Sequence, residues 1–242
     1  MNTHASRPTP LHLADIHLRT LYVHDARSRL VSINEPSAGA APRFILARTP
    51  RGNVWRFGAQ LSAELERGLE ALARTEPIEN EPPPEPHRLR DYLALASEHA
   101  PIQSVWMGPA YLIANSTPKT SPSVTVQHVD AARAHTLDAE FAESRVQLLA
   151  RQPLMALTDA AGAALSVCYT ARATPLAHEA GVDTAVQHRG KGYAPHAVAA
   201  WARAIRALGR LPLYSTSWSN TASRAVASKL GMQRYAVTFS VT

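Results

Sequence analysis

The sequence has a single cysteine, Cys168, among its 242 residues, which excludes an intramolecular disulfide and fits a reducing compartment. No apolar run approaches the ~20 residues that a membrane-spanning helix needs. The opening "MNTHASRPTPLHLADIHLRT" has neither the basic start nor the unbroken apolar stretch of a secretory signal. The expectation is a cytoplasmic protein with no membrane partner. A lysine-rich tail, zinc-finger spacing and an aromatic RNA-binding signature are also missing. The 11 histidines show no ligand spacing such as His-x-x-x-His, so no metal site is expected. Internal repeats are absent too.

A formal net charge of +6 and a pI near 9.8 favour an anionic partner, either nucleic acid or a phosphorylated cofactor. The cations are scattered, however, and Arg203, Arg206 and Arg210 read as the solvated face of one helix. That distribution argues against nucleic acid. Hydrophobic residues make up 45% of the chain, enough for a sizeable core in one large domain or two small ones.

The strongest break is "RTEPIENEPPPEPHRLRD", where four prolines lie among the glutamates between Glu76 and Glu85. Proline fixes φ and removes a backbone donor, so this stretch reads as an exposed connector. Before it, "RFILARTPRGNVWRF" reads as a hairpin, and "LSAELERGLEALA" carries leucines at helical spacing. Residues 1–95 are expected to form a small α+β unit with no chemical motif, and residues 96–242 a second domain.

After the connector, "HRLRDYLALASEHA" reads as a helix, "VWMGPAYLIA" as one or two strands and "STPKTSPSV" as a loop. Asp130 to Arg151 is helical in pattern. "PLMALTD" and "LSVCYTAR" flank a turn as a β-hairpin, and "AHEAGVDTAV" is a further strand. Ala194, Ala197, Val198, Trp201, Ala204, Ile205 and Leu208 then repeat at three-to-four spacing. "PLYSTSW" is a short strand. "SNTASRAVASKLG" is a helix capped by Ser219 or Asn220 and closed by Gly231, and "QRYAVTFSV" ends the chain in strand. The fold class is α/β, with a mixed sheet in the C-terminal part.

Between the strand and the alanine-rich helix lies "VQHRGKGYA". The free N–H groups of a helix's first turn form an anion site. Gly190 and Gly192 would let backbone approach an oxyanion, and Arg189 and Lys191 add charge. An ordinary strand-to-helix turn with two incidental cations reads the same glycines equally well. The run is neither a Rossmann fingerprint nor a P-loop.

"QHRGKG" resembles the Q/R-x-x-G-x-G/A acyl-CoA pyrophosphate loop of the GNAT superfamily of N-acyltransferases, in the place that family has it. "SNTASRAVASKLGM" resembles the family's fourth helix. The resemblance covers Ala163–Met232, thins out towards Val124 and is absent from residues 1–95. It implies acetyl-CoA as the acyl donor and an amine as the acceptor. It also implies that two parallel strands splay to admit the cofactor. The backbone of Val182, Asp183 and Thr184 would hold the pantetheine, with Gly181 marking a bulge. The loop Gln187, His188, Arg189, Gly190, Lys191 and Gly192, with Tyr193 after it, would take the pyrophosphate. Asn220 and Ser223 would bond pantetheine amides or phosphate.

An amine acceptor with a pKa near ~10.4 is mostly protonated at neutral pH, so a general base is useful. Glu179 is the candidate, with Asp183 second; an exposed strand carboxylate is the plain alternative. Many members of the family carry a tyrosine acid seven residues after the helix asparagine, and here that position is Ala227. Tyr235 is the candidate replacement, ahead of Tyr214, Ser217 or water. Cys168, in an apolar strand run, reads as a buried inert thiol. Two other readings stand beside the transferase: an acyl-CoA-binding sensor and a basic nucleic-acid-binding module.

Overall fold

The computed structural model describes residues 8–37, 39–113, 115 and 125–242. In chain order the elements are α1 (Pro10–Leu21), β1 (Tyr22–His24), β2 (Leu30–Ile33), β3 (Phe44–Thr49), β4 (Gly52–Phe57), α2 (Ala63–Thr75), α3 (Leu89–His99) and β5 (Val105–Leu112). Then follow β6 (Thr125–His128), α4 (Ala142–Val146), β7 (Leu154–Thr158), β8 (Ala164–Ala173), β9 (Ala177–Thr184), α5 (Ala194–Ala207), β10 (Leu211–Ser215), α6 (Thr221–Lys229) and β11 (Gln233–Val241). They form two compact units. The first comprises the described residues of 8–33, 39–110 and 235–242, and the second those of 34–37 and 111–234.

In the first unit the expected hairpin is present, with β3 and β4 paired from Phe44↔Phe57 to Thr49↔Gly52. On its other side β3 pairs antiparallel with β11, from Val237↔Arg48 to Val241↔Phe44. From Tyr235 on, the chain's last strand therefore belongs to this unit, and residues 95 and 96, the boundary expected from sequence, lie inside α3. The reason is packing: Phe44, Leu46, Leu69, Leu72, Tyr92, Ala96 and Phe239 share one core. The rings of Phe44 and Tyr92 stack there at 5.4 Å. Ser62 starts α2 by accepting the Leu65 N–H, and Thr9 starts α1 by accepting that of His12.

The proline connector is fastened. Arg48 is 1% exposed and donates to the carbonyls of Pro83, Pro84 and Glu85 at 3.1 Å or less. A proline run offers acceptors and no donors, and a guanidinium fork matches that demand. Glu76, also buried, lies 3.9 Å from Arg48 and accepts the His87 N–H at 2.7 Å.

In the second unit the strand order is β10-β9-β8-β7-β6, with β9–β10 parallel and the remaining neighbours antiparallel, a mixed sheet. Helix α5 covers it with Ala197, Val198, Trp201 and Ile205, which pack with Cys168, Tyr214, Ala227 and Leu230. The helix expected over Asp130–Arg151 is instead two 3-10 turns, Ala131–Thr136 and Ala139–Phe141, followed by the short α4. The side chain of Asp130 accepts the Arg133 N–H and that of Asp138 accepts the Glu140 N–H. These local bonds restart the backbone twice where a continuous helix would have run. The loop expected over "STPKTSPSV" lies outside the described residues.

Candidate functional site

Strands β9 and β10 pair over only three positions, Leu211↔Ala177, Pro212↔His178 and Leu213↔Glu179. Beyond Glu179 both strands continue, β9 to Thr184 and β10 to Ser215, with no further register partner between them. The opposite edge of β9 stays paired with β8 from Ala173↔His178 to Ser166↔Thr184. The backbone of Val182, Asp183 and Thr184 thus belongs to a strand held on one side and open on the side of the split. Thr184 is fixed further by a 2.8 Å contact between its Oγ1 and Ser166 Oγ.

Gly181 serves close approach, and the irregularity lies elsewhere. The register slips between Thr170 and Arg172 on β8, so the bulge expected at Gly181 is on its neighbour. A Cβ on Gly181 would sit 2.3 Å from the ring of Tyr169. That ring is pinned from another side by the Arg151 guanidinium, 4.1 Å from its centroid. Burial, with Asp183 nearby, pushes the Tyr169 hydroxyl up to about 12.

The glycine loop begins where β9 ends. Val186–His188 is one 3-10 turn, and its first N–H donates to Glu140 Oε2 at 2.6 Å. Gly190 and Gly192 follow at φ of 75° and 82°, a region glycine enters without the penalty of a Cβ. Both glycines are therefore required by the turn itself, whatever it binds. Tyr193 precedes α5 without capping it through its side chain, and its ring lies 6.1 Å from that of His188. Gln187, Arg189 and Lys191 are exposed, and Arg189 Nε donates back to Thr184 O at 3.2 Å. A third cation joins them: a Cβ on Gly192 would lie 3.8 Å from Lys229 Nζ. Arg189, Lys191 and Lys229 form no ion pair among the described residues. Lys229 was not singled out by sequence reasoning, because it sits at the far end of α6 from the loop in chain order.

At the start of α6, Asn220 Oδ1 accepts the Ser223 N–H at 3.0 Å, the cap expected from sequence. Its carboxamide nitrogen is the group it has left for a ligand. Ser223 Oγ meets Tyr214 Oη at 2.6 Å. Burial raises the Tyr214 hydroxyl to about 12, so it is protonated at neutral pH.

Glu179 is 2% exposed, unlike the open strand carboxylate that the sequence left as an alternative, and its Oε1 accepts from Ser215 Oγ at 2.7 Å. Asp183 is exposed. Ser215 was not singled out by sequence reasoning; it ends the strand read in "PLYSTSW". Tyr235 belongs to the first unit, where its Oη lies 2.8 Å from His17 Nδ1. Beside Glu179, His178 faces a different network. Arg210 Nη1 can only donate, so His178 Nε2 accepts at 2.6 Å, and Nδ1–H then donates to Thr170 Oγ1 at 3.0 Å. Burial, with the Arg210 charge second, lowers this imidazole to about 4.

Ala227 is 2% exposed in the α5 core and also lines a 440 Å³ groove with Tyr111, Trp218, Arg224 and Met232. Cys168 is fully buried, and desolvation raises its thiol well above the ordinary range, as befits an inert core residue. Among the described residues no group of three or more His, Cys, Asp or Glu side chains could hold a metal ion. No helix among them is long and apolar enough to cross a membrane.

Residues 162–241 match the family model described as FR47-like protein, a GNAT-related family. The matched stretch lies in the C-terminal part of the chain and contains the glycine loop. No curated protein matches the chain. Among solved structures it is similar to a GCN5-related N-acetyltransferase-like protein from Streptococcus suis, at 16% identity over 84% of this chain and 85% of that one, with a TM-score of 0.48. A GNAT-family acetyltransferase from Colwellia psychrerythraea is similar at 13% identity, over 78% of this chain and 76% of that one, with a TM-score of 0.47. A tandem GNAT protein from the clavulanic acid biosynthesis pathway is similar at 15% identity over 69% and 62%, with a TM-score of 0.45.

Proposed function

We propose that this protein is an N-acetyltransferase that moves an acetyl group from acetyl-CoA to an amine by direct attack on the thioester, in the cytoplasm. The observation that carries the reading is the split between β9 and β10, which leads straight into a loop with two positive-φ glycines. Around that loop stand three cations, Arg189, Lys191 and Lys229, with no ion pair among the described residues. Val182, Asp183 and Thr184 hold the pantetheine through backbone groups on the open edge. Gln187, His188, Arg189, Gly190, Lys191, Gly192 and Tyr193 surround the diphosphate, where backbone N–H groups and cations match its charge. Asn220 and Ser223 bond the pantetheine amides.

Glu179 is the general base. The departing thiolate, whose free pKa is ~8.5, needs a proton donor or leaves unaided. Tyr214 and Tyr235 are the two tyrosines for that role. Tyr214 is favoured, because its hydroxyl shares the second unit with the split and sits against Ser223 of the cofactor helix.

The test is free-thiol release from acetyl-CoA across a panel of primary amines, amino acids and hydroxylamine. The reading predicts thiol release above a protein-free blank that holds acetyl-CoA and the same acceptor, with at least one member, and no release without an acceptor. Absence of release with every acceptor overturns it. Ala227 favours one second reading, an acyl-CoA-binding sensor, since the family's usual tyrosine acid is missing there. That reading predicts CoA binding with no thiol release.

A further inference from the structure

Glu179 poses a problem for the proposed chemistry: a base that is 2% exposed cannot meet an acceptor that enters from solvent. We infer that Ser215 is the catalytic residue that carries the proton from the acceptor amine to Glu179. The inference rests on the transferase reading above.

Leu213 is the register partner of Glu179 and the last residue of β10 paired with β9. Ser215 lies two positions further, on the same face of its strand as Leu213, because strand side chains alternate. It is half-buried where Glu179 is buried, and it stands where the strands have parted. Its hydroxyl already donates to Glu179 Oε1 at 2.7 Å. A hydroxyl has one proton and two lone pairs, so this donation leaves Oγ able to accept an N–H from the open side.

The step balances. The amine lone pair forms the C–N bond at the thioester carbonyl, and the carbonyl electron pair moves onto oxygen. As nitrogen becomes positive, its proton passes to Ser215 Oγ while the Ser215 proton passes to Glu179 Oε1. Ser215 ends as a hydroxyl and Glu179 as a carboxylic acid. Collapse of the oxyanion breaks the C–S bond, and the CoA thiolate leaves with a proton from the acid or from solvent. Glu179 returns its proton by the same route after product departs. An acceptor that arrives as an ammonium loses its first proton to solvent before attack, because Glu179 takes up only one proton per turnover.

The test uses the full chain, with thiol release from acetyl-CoA read for wild type, Ser215→Ala, Ser215→Thr, Glu179→Gln and the Ser215→Ala/Glu179→Gln pair. The nucleophiles are the best amine of the panel and hydroxylamine, which is small and unprotonated at neutral pH. Ser215→Ala is expected to lower kcat by ~10²-fold, the usual size of general-base catalysis, with the CoA-induced melting shift unchanged. Ser215→Thr restores the hydroxyl and recovers most of the rate. The pair is no slower than Glu179→Gln alone, because both substitutions cut one relay. Wild-type kcat in Ser215→Ala, or a pair that is slower by the product of the single losses, overturns the relay and leaves the transferase reading standing. Wild-type kcat in Glu179→Gln does the same. No thiol release by wild type above the protein-free blank with any nucleophile overturns both.

Discussion

The hydroxyl of Tyr235 lies 2.8 Å from Nδ1 of His17, a bond that ties β11 to α1 inside the first unit across 218 positions of sequence. The two rings meet edge to face at 5.9 Å, and both residues are 1% exposed. Tyr235→Phe removes a buried hydrogen-bond partner and is expected to cost ~1–3 kcal/mol of stability. With Tyr214 as the acid, Tyr214→Phe lowers kcat by ~10²-fold while Tyr235→Phe leaves kcat near wild type. Steady-state rates and denaturant midpoints for the two variants decide. A rate loss in Tyr235→Phe alone gives the acid role to Tyr235, and unchanged kcat in both leaves water, Ser217 or unaided departure.

Gly181 is a packing glycine. An alanine there would drive its Cβ to 2.3 Å from the Tyr169 ring, which Arg151 holds in place. Gly181→Ala is expected to lose ~1–3 kcal/mol, the usual range for overpacking, by urea denaturation. Tyr169→Ala in the same background opens the space, so the double variant should lose less than the sum of the two singles.

His178 makes stability depend on pH. Its imidazole titrates near 4 in the folded chain against 6.5 when unperturbed, so the unfolded chain binds the proton more tightly. Its contribution is intact above about pH 6.5 and falls as pH drops from there towards 4. The full loss is on the order of 3 kcal/mol, at ~1.4 kcal/mol for each tenfold difference in proton affinity between the two states. Urea midpoints measured across that window should slope more steeply for wild type than for His178→Gln. Equal slopes would show that His178 does not couple to folding.

The second unit was the more legible in sequence. The hairpin, β9, the glycine turn, α5, β10 and α6 all follow from local signals, namely period-two and period-3.6 patterns, paired glycines and an asparagine cap. The first unit was partly legible: its hairpin and α2 carry the same signals, and α1 has a local start in Thr9 and Pro10 that the sequence reading passed over, while the return of β11 depends on contacts made far along the chain. The Asp130–Arg151 stretch misled because its apolar spacing suits a helix, while Asp130 and Asp138 close turns that spacing does not register. At the candidate site the glycine loop stands together in sequence, so its turn was readable. Ser215 and Lys229 were not, since what matters is which side chain they approach across the fold.

Arg48 shows the same limit in the connector. Composition alone reads the proline run as a tether, yet three of its carbonyls are bound by this one guanidinium, which also faces the buried Glu76. Arg48→Met keeps the volume but strands a buried carboxylate, and should cost ~3–5 kcal/mol. Limited proteolysis is expected to cut the variant faster between Glu76 and Glu85. Cleavage at the wild-type rate, with an unchanged melting temperature, would show that the connector is not fastened there.

Binding of acyl-CoA by the split and its glycine loop is read by a melting experiment with acetyl-CoA. A ligand that binds only the folded chain adds ~2.7 kcal/mol of stability at a hundred times its Kd. Gly190 sits at φ 75° with nothing within 4 Å of an added Cβ. Gly190→Val therefore strains the turn and obstructs the approach of phosphate without disturbing the core. With saturating acetyl-CoA the melting temperature of wild type is expected to rise by several degrees, and that of Gly190→Val little or not at all. No rise in wild type, or an equal rise in both, would contradict binding at this site.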